Sequence, residues 1–294
     1  MKNLIPAFFK KTSVIMIDDD NFFIESLSKL LSKDIDSDII CLNQMNKLYE
    51  KELERTSIEF SKFNKSKIET ITNFLNSNNI VSTIVMDHYM TPKNGIDTAR
   101  DLNNKFVQKI LVSNMVTDKE AIKALNEKTI VFYLTKMDPN FKNNLVDTIN
   151  KAQKIFFENL SSLMLDHTEE DNPLFEESAE NVFNELKSQY KLPYYEPMEN
   201  LKKFRFFDKD KKRSVILNFN SEQDIKEILN SYQAESASKD IIKIIKNGSM
   251  IPYFHNDCLK DGELWLENLK STKVLNGNKK YFYFIYEDEK NGTN

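Results

Sequence analysis

The chain has 294 residues, enough for one large domain or two ordinary ones, and its 40% apolar residues suffice for real cores. The 41 basic and 45 acidic residues leave a formal charge of -4 and a pI near 5.6, which gives no overall pull toward polyanions. Glycine is scarce at 5 residues, and neither a P-loop nor a GxGxxG cradle occurs, which disfavours the nucleotide-phosphate enzymes built on those turns.

The first strand is expected at 13–17, SVIMI, followed by three carboxylates, Asp18, Asp19 and Asp20. A helix over 21–31 carries Phe23, Leu27, Leu30 and Leu31 at helical spacing, and a second strand is expected at 38–42. The stretch 44–63 is helical, with Tyr49, Leu53, Thr56, Phe60 and Phe63 recurring every three or four residues. Ser66 with Glu69 forms a capping box that restarts a helix through Leu75. Residues 80–87 form an Ile- and Val-rich run that stops at Asp87 and is followed by a turn to Gly95. Such a run reads as a strand buried on both faces, with Asp87 at the carboxyl end, where open α/β sheets place their chemistry. A helix over 95–106, a strand over 109–113, a helix over 118–127, a strand over 130–135 and a helix opened by Asp138 and Pro139 complete the first part. Strands alternating with helices imply a parallel sheet with right-handed crossovers.

All strands of a parallel sheet end at one edge, so Asp18, Asp19 and Asp87 converge. Three carboxylates in a shallow pocket repel one another and favour a hard divalent cation, typically Mg2+ with several waters kept. Ser113 ends the fourth strand and Lys136 the fifth. A hydroxyl and an ammonium beside a metal-bound carboxylate are suited to holding phosphoryl oxygens. Taken singly, Asp18 to Asp20 would be loop or N-cap carboxylates, Lys136 a solvated lysine and Tyr133 a half-buried strand residue. Their joint placement at one sheet edge is what singles them out. His88, His167 and His255 fit no metal pattern and are expected to be structural or exposed.

This ordered set resembles the receiver domain of bacterial two-component response regulators, the CheY-like family. The residues that carry the likeness are the acidic pair Asp18 and Asp19; Asp87 with Met90 three on and Gly95 eight on; Ser113; and Lys136 with Tyr133 three before it. The resemblance implies a flavodoxin-like parallel sheet of strand order 2-1-3-4-5, here over 11–157 with a helical insertion at 44–63. It implies that Asp87 is the phosphorylated aspartate, supplied by a histidine kinase or phosphotransfer protein. Asp19 and Asp87 would ligate Mg2+ directly, the Tyr89 carbonyl would be the third protein ligand, and Asp18 would act mainly through water. Ser113 and Lys136 would bind phosphoryl oxygens, and Ser113 with Tyr133 would form the switch. Three features depart from the family pattern: Pro92 lies five residues after Asp87 where four is usual, Met137 replaces the usual proline after Lys136, and the gap before Asp87 is long. None deletes a catalytic group, so an active receiver is expected, with a changed loop past the acceptor.

The helix from 139 keeps Leu145, Ile149, Ala152, Phe156, Leu160 and Leu163 at near-heptad spacing. Its continuation beyond Lys151 calls for a partner, either a second subunit or the next domain. For 44–63, packing within the receiver and a homodimer or partner contact both stay open. Residues 158–200 read as a helical linker, with DHTEEDNP at 166–173, a helix over 174–190 and the extended KLPYYEP. Residues 201–294 read as an α+β domain with an antiparallel sheet: a hairpin of 204–208 and 214–219, a helix capped by Ser221 to 232, a helix over 239–246 ended by Asn247 and Gly248, and strands at 249–254, 263–269 and 280–287. The order is similar to that of PAS-like sensory modules, in order alone.

DNA is not an expected partner. Acidic residues outnumber basic ones after the linker, and the cluster Lys202, Lys203, Arg205, Lys209, Lys211, Lys212 and Arg213 falls mostly on a hairpin turn. No GGDEF, EAL or HD-type motif appears. The aromatic run 281–286, with Trp265, Tyr253 and Phe254, fits a sheet core or the lining of a ligand groove. Cys41 and Cys258 lack metal-ligand spacing and are expected as reduced, half-buried thiols. No apolar run approaches membrane-spanning length and no signal-peptide pattern precedes the first strand, so a cytoplasmic setting is expected. The expected function is that of a response regulator acting through protein or small-ligand contact. The alternatives are a transcriptional regulator with an atypical DNA-binding output and a signalling enzyme with an unrecognised catalytic output.

Overall fold

The run SVIMI forms β1 (Ser13–Ile17), buried at every position. Its lack of polar alternation follows from having both faces covered. In the computed structural model, which describes residues 5–63, 68–114, 119–165, 172–230, 237–253 and 268–287, β1 lies between β2 (Asp38–Leu42) and β3 (Val81–Asp87), parallel to both. Next to β3 come β4 (Gln108–Ser113) and β5 (Phe132–Thr135), so the sheet order is β2-β1-β3-β4-β5 with every pair parallel. The chain divides into two units, Phe9–His167 and the pair of segments Met1–Phe8 with Thr168–Asn294.

Side chains of a strand alternate between faces, and the two cores of the first unit follow that period of two. Val14, Met16, Val85 and Ile110 face α1 (Asn21–Leu31) and α6 (Phe141–Leu165), meeting Ile24, Leu27, Leu145 and Ile149. Ile15, Ile17, Ile84 and Leu111 face α2 (Lys47–Lys62), α4 (Gly95–Asp101) and α5 (Lys119–Asn126), meeting Leu53, Ile96 and Ala121. In α1 the buried positions are Ile24, Leu27 and Leu31, whereas Leu30, expected on that stripe, is exposed.

Local chemistry sets the helix ends. Asp20, Asn46 and Asn94 cap α1, α2 and α4 by accepting hydrogen bonds from first-turn N–H groups. The helix expected to reach residue 106 stops at Asp101. There Asn104 Oδ1 accepts from Phe106 N and Val107 N at 2.9 and 3.2 Å, an Asx turn that competes with further helix. Lys109 Nζ donates to the carbonyls of Ala99 and Leu102 at 2.6 and 2.8 Å, taking up the last acceptors of α4.

The insertion packs against its own unit. Leu53, Thr56 and Phe60 are its buried face. The Phe60 ring meets Phe63, Phe74, Phe106 and Phe156 edge-on at 5.2 to 5.8 Å. That cluster ties α2 to α3 (Ile68–Ser77) and to the second half of α6, and edge-to-face pairs add about 0.5–1.5 kcal/mol each beyond area burial. The α6 stripe through Leu145, Ile149, Ala152, Phe156 and Leu160 is buried within the chain, with Met164 in place of the half-buried Leu163. The apolar residues that called for a second subunit or the next domain are buried within the single chain.

In the second unit a 3-10 turn, Pro173–Phe175, precedes α7 (Glu177–Tyr190), where one continuous helix was expected. The sheet runs β11-β12-β8-β7-β6, all antiparallel: β6 (Tyr194–Pro197), β7 (Lys203–Phe207), β8 (Ser214–Ser221), β11 (Lys273–Asn276) and β12 (Lys280–Glu287). Phe183 of α7 packs on one face against Tyr195, Phe204 and Phe206. On the other face α8 (Glu222–Asn230) and α9 (Lys239–Lys246) bury Ile225, Ile241 and Ile245 against Phe282 and Phe284. Ser221 and Asp224 form the reciprocal cap of α8, Ser221 N donating to Asp224 Oδ2 at 2.7 Å and Asp224 N to Ser221 Oγ at 3.2 Å. After α9, Gly248 at φ 65° lies against the Phe282 ring, where a Cβ would overlap it. A separate ladder pairs β9 (Met250–Pro252) with β10 (Leu269–Ser271).

Four expectations are corrected here. Part of the supposed 158–200 linker is α7 and the edge strand β6, both integral to the second unit. The strand β11 was not foreseen, although Gly277, Asn278 and Lys279 form a three-residue hairpin loop between Asn276 and Lys280. With two extra strands, the succession of two strands, two helices and three strands no longer holds, and the PAS-like order goes with it. Cys41 is exposed instead of half-buried. The capping box at Ser66, the linker core at 166–171, the helix end at 231–232, the strand at 263–267, and Phe254, Trp265, Cys258, His167 and His255 lie outside the described residues.

Two further contacts close the second unit. Glu176, buried, accepts from Asn278 N at 2.7 Å and Lys279 N at 3.1 Å, holding the β11–β12 turn. Ile5 N donates to Leu174 O at 3.2 Å and Tyr195 Oη to Pro6 O at 3.0 Å, so the first residues belong to this unit. Among the described residues no helix is long and apolar enough to cross a membrane.

Candidate functional site

The carboxyl edge of the parallel sheet gathers the charged side chains. Asp87 is the last residue of β3 and 5% exposed, Asp18 follows β1 directly and is 4% exposed, and Lys136 follows β5. Lys136 Nζ sits 2.7 Å from Asp18 Oδ2 and 2.6 Å from Asp87 Oδ1, with its side chain 10% exposed. The Phe23 ring lies 4.5 Å from the same ammonium. Lys136 is placed by its own backbone, whose N–H donates to Ser113 O at 2.6 Å.

Backbone N–H groups hold the other carboxylate oxygens. Asp20 N donates to Asp18 Oδ1 and Tyr89 N to Asp87 Oδ2, each at 2.9 Å. Behind Asp87 the chain turns tightly: His88 N donates to Val112 O at 2.8 Å and Gly95 N to His88 O at 3.1 Å. Gly95 lies so close to the Asp87 carbonyl that a Cβ would collide with it, which accounts for glycine there.

Two buried carboxylates share one ammonium, and the electrostatics follow. Burial pushes the Asp87 carboxyl above the usual aspartate range, against the opposing pull of Lys136. Burial also works against the Lys136 ammonium, but Asp18 and Asp87 together outweigh it and hold the amine above the usual lysine range. The pocket therefore carries net negative charge that one lysine does not neutralise.

Of the remaining sequence candidates, Asp19 is exposed, and its Oδ2 accepts from Thr91 N at 3.3 Å and Thr91 Oγ1 at 3.4 Å. Tyr89 is exposed, its ring 4.4 Å from that of the buried His88. Ser113 is fully buried at the end of β4. Tyr133 sits on β5 opposite Leu111, half-buried against the apolar cluster that includes Ala121 and Ala124. The edge thus brings Asp18, Asp87 and Lys136 into direct contact, with Asp19, Tyr89 and Ser113 around them and Tyr133 set back along β5. Sequence reasoning missed two neighbours. Phe23 looked like an ordinary helix-stripe residue; Thr91 was signalled only by the displaced Pro92.

The carboxylates do not form a ready-made metal cluster. Among the described residues no group of three or more His, Cys, Asp or Glu is so gathered. Lys136 stands between Asp18 and Asp87, and Asp19 is turned to Thr91. The donor set is nevertheless all oxygen and anionic, the kind hard divalent cations take, so a cation fits chemically once Asp19 is released.

No family model and no curated protein matches the chain. Among solved structures, the response regulator LqsR of Legionella pneumophila is similar with a TM-score of 0.80 at 20% identity, over 98% of this chain and 91% of that one. A response regulator receiver domain protein from Clostridium thermocellum is 20% identical over 48% of this chain and 94% of its own, with a TM-score of 0.34. A CheY-like receiver domain protein from Methanospirillum hungatei JF-1 is 12% identical over 51% of this chain and 99% of its own, with a TM-score of 0.36. The first of these shows the fold: a flavodoxin-like receiver sheet of order 2-1-3-4-5, followed by an α+β unit with an antiparallel sheet.

Proposed function

We propose that the chain is a cytoplasmic response regulator whose Asp87 accepts a phosphoryl group from a histidine kinase or phosphotransfer protein. The observation that carries this reading is the Lys136 ammonium held between two buried carboxylates at the end of a receiver sheet. A structural ion pair would need one carboxylate; the second leaves charge that a divalent cation and a phosphoryl group can engage.

In the transfer, an Asp87 carboxylate oxygen attacks phosphorus, the P–N bond to the donor imidazole breaks, and that nitrogen keeps the electron pair and is protonated from solvent. The product is an acyl phosphate on Asp87. Mg2+, when bound, supplies positive charge to the phosphoryl oxygens. Asp19, Asp87 and the Tyr89 carbonyl would hold it, with Asp18 acting through water. Lys136 leaves its carboxylates to bind a phosphoryl oxygen, Ser113 binds another, and Tyr133 repacks on β5 as the switch.

The second unit acts in this reading through a downstream protein or small ligand. The basic cluster that DNA would need is largely neutralised internally: Lys202 pairs with Asp224 at 2.7 Å, Lys203 with Glu199 at 3.2 Å, Arg205 with Glu196 at 3.8 Å and Arg213 with Asp208 at 3.2 Å. That arrangement disfavours phosphate binding along the hairpin.

The test is intact mass of the full chain after incubation with Mg2+ and acetyl phosphate, beside Asp87→Asn. One phosphoryl adduct, lost in the variant, is the expected result. An adduct that persists in Asp87→Asn, or none in either protein, would overturn the assignment.

A further inference from the structure

We infer that Thr91 is a positioning residue that holds Asp19 off the cation site, so that a divalent cation and Thr91 compete for one carboxylate. The inference rests on the cation site proposed above and concerns how this chain sets its affinity.

Asp19 is the exposed member of the acidic set, and both donors of Thr91 converge on its Oδ2, the N–H at 3.3 Å and the hydroxyl at 3.4 Å. A proline at position 91 would offer neither, since it lacks a backbone N–H and a hydroxyl. In this chain the proline stands one residue later, at Pro92, and Thr91 acquires both donors. The displaced proline and the Thr91–Asp19 contact are one feature seen in sequence and in structure.

The loop carrying Thr91 is tied at both ends. Tyr89 N is bound to Asp87 Oδ2, Gly95 N to His88 O, and Asn94 caps α4 by accepting from Asp97 N at 2.8 Å. Thr91 is therefore not carried along when Asp19 turns toward the Asp18–Asp87 pair, and cation binding has to break both hydrogen bonds. Their length places them at the weak end of the range, so the effect is a tuning of affinity and not a block. The loop has a second wall: Thr91 and Pro92, with Met45 and Met90, line a cavity of about 160 Å³. Release of Asp19 frees one of those lining residues.

The experiment is calorimetric titration of the full chain with MgCl2, comparing wild type, Thr91→Val, Thr91→Ser and Asp19→Asn, with hydrogen exchange of the Thr91 amide as a second readout. Losing one weak hydrogen bond to the competing state is expected to tighten Mg2+ binding in Thr91→Val by about two- to fivefold. Thr91→Ser should bind as wild type, Asp19→Asn more weakly, and Mg2+ should accelerate exchange of the Thr91 amide in wild type. Equal or weaker binding in Thr91→Val, with Asp19→Asn still weakened, would overturn the latch and leave the cation site standing. No Mg2+ binding by wild type, or unchanged binding in Asp19→Asn, would overturn the cation site and the latch with it.

Discussion

The two edges of the parallel sheet bury polar groups in opposite ways. At the carboxyl edge, Asp18, Asp87 and Lys136 form a charged group whose signs do not cancel. At the other edge, Gln153 Nε2 of α6 donates to Thr12 Oγ1 at 2.9 Å and Ser37 Oγ at 2.6 Å, and Thr12 Oγ1 lies 2.7 Å from Ser82 Oγ. All four of those residues are buried and neutral. Both arrangements satisfy hydrogen bonds, but only the charged one leaves something for a ligand to supply. The lesson is that burial of polar groups does not by itself mark a site; an uncompensated charge does.

The largest effect expected to sharpen that contrast is in Lys136→Met. It leaves two buried carboxylates without a cation and should cost about 3–5 kcal/mol at neutral pH by urea unfolding. The loss should shrink as the carboxylates are protonated, and one that is independent of pH would erase the distinction between the edges. Gln153→Met should cost about 1–3 kcal/mol, the penalty of leaving buried hydroxyls short of a partner. That loss should be the same at pH 5 and pH 8, and Asp87 phosphorylation should be unaffected.

A third variant separates charge from burial. Lys109 is half-buried with no carboxylate partner among the described residues, and burial pushes its pKa down to about 8, the reverse of Lys136. The folded value lies below the unfolded one, so its contribution is present above the unfolded lysine pKa and lost as pH falls through about 8. Stability should rise between pH 8 and 10 by at most about 2 kcal/mol, reduced by partial solvation and by the carbonyls of Ala99 and Leu102 that favour the ammonium. Lys109→Met should flatten that rise, and a profile identical to wild type would show that the ammonium is not destabilised by burial.

The sheet and its charged edge were legible because period and position agree: apolar runs, those of β1 and β3 buried on both faces, end in Asp18, Asp87 and Lys136, and parallel topology forces those ends together. The stop of α4 was not legible, because Asn104 reads as a tolerated helix residue until its side chain is seen bonded to Phe106 N and Val107 N. The α6 stripe signalled apolar burial correctly but could not say what covers it. In the second unit β6 passed for an extended linker, since four residues flanked by prolines carry too short a pattern to reveal a cross-strand partner. Thr91 illustrates a different limit: a shifted proline announces a changed loop, and only geometry tells which carboxylate the change reaches.

The bonds from Ile5 to Leu174 and from Tyr195 to Pro6 bear on how the molecule is made. Ile5 and Pro6 find their partners only after the whole parallel sheet has been synthesised, Pro6 across 189 residues, and Glu176 meets Asn278 across 102. The first unit can complete its fold during translation, while the second keeps Glu176 unsatisfied until the β11–β12 hairpin emerges. A truncation that removes residues 5 and 6 ahead of the first unit would therefore weaken the second.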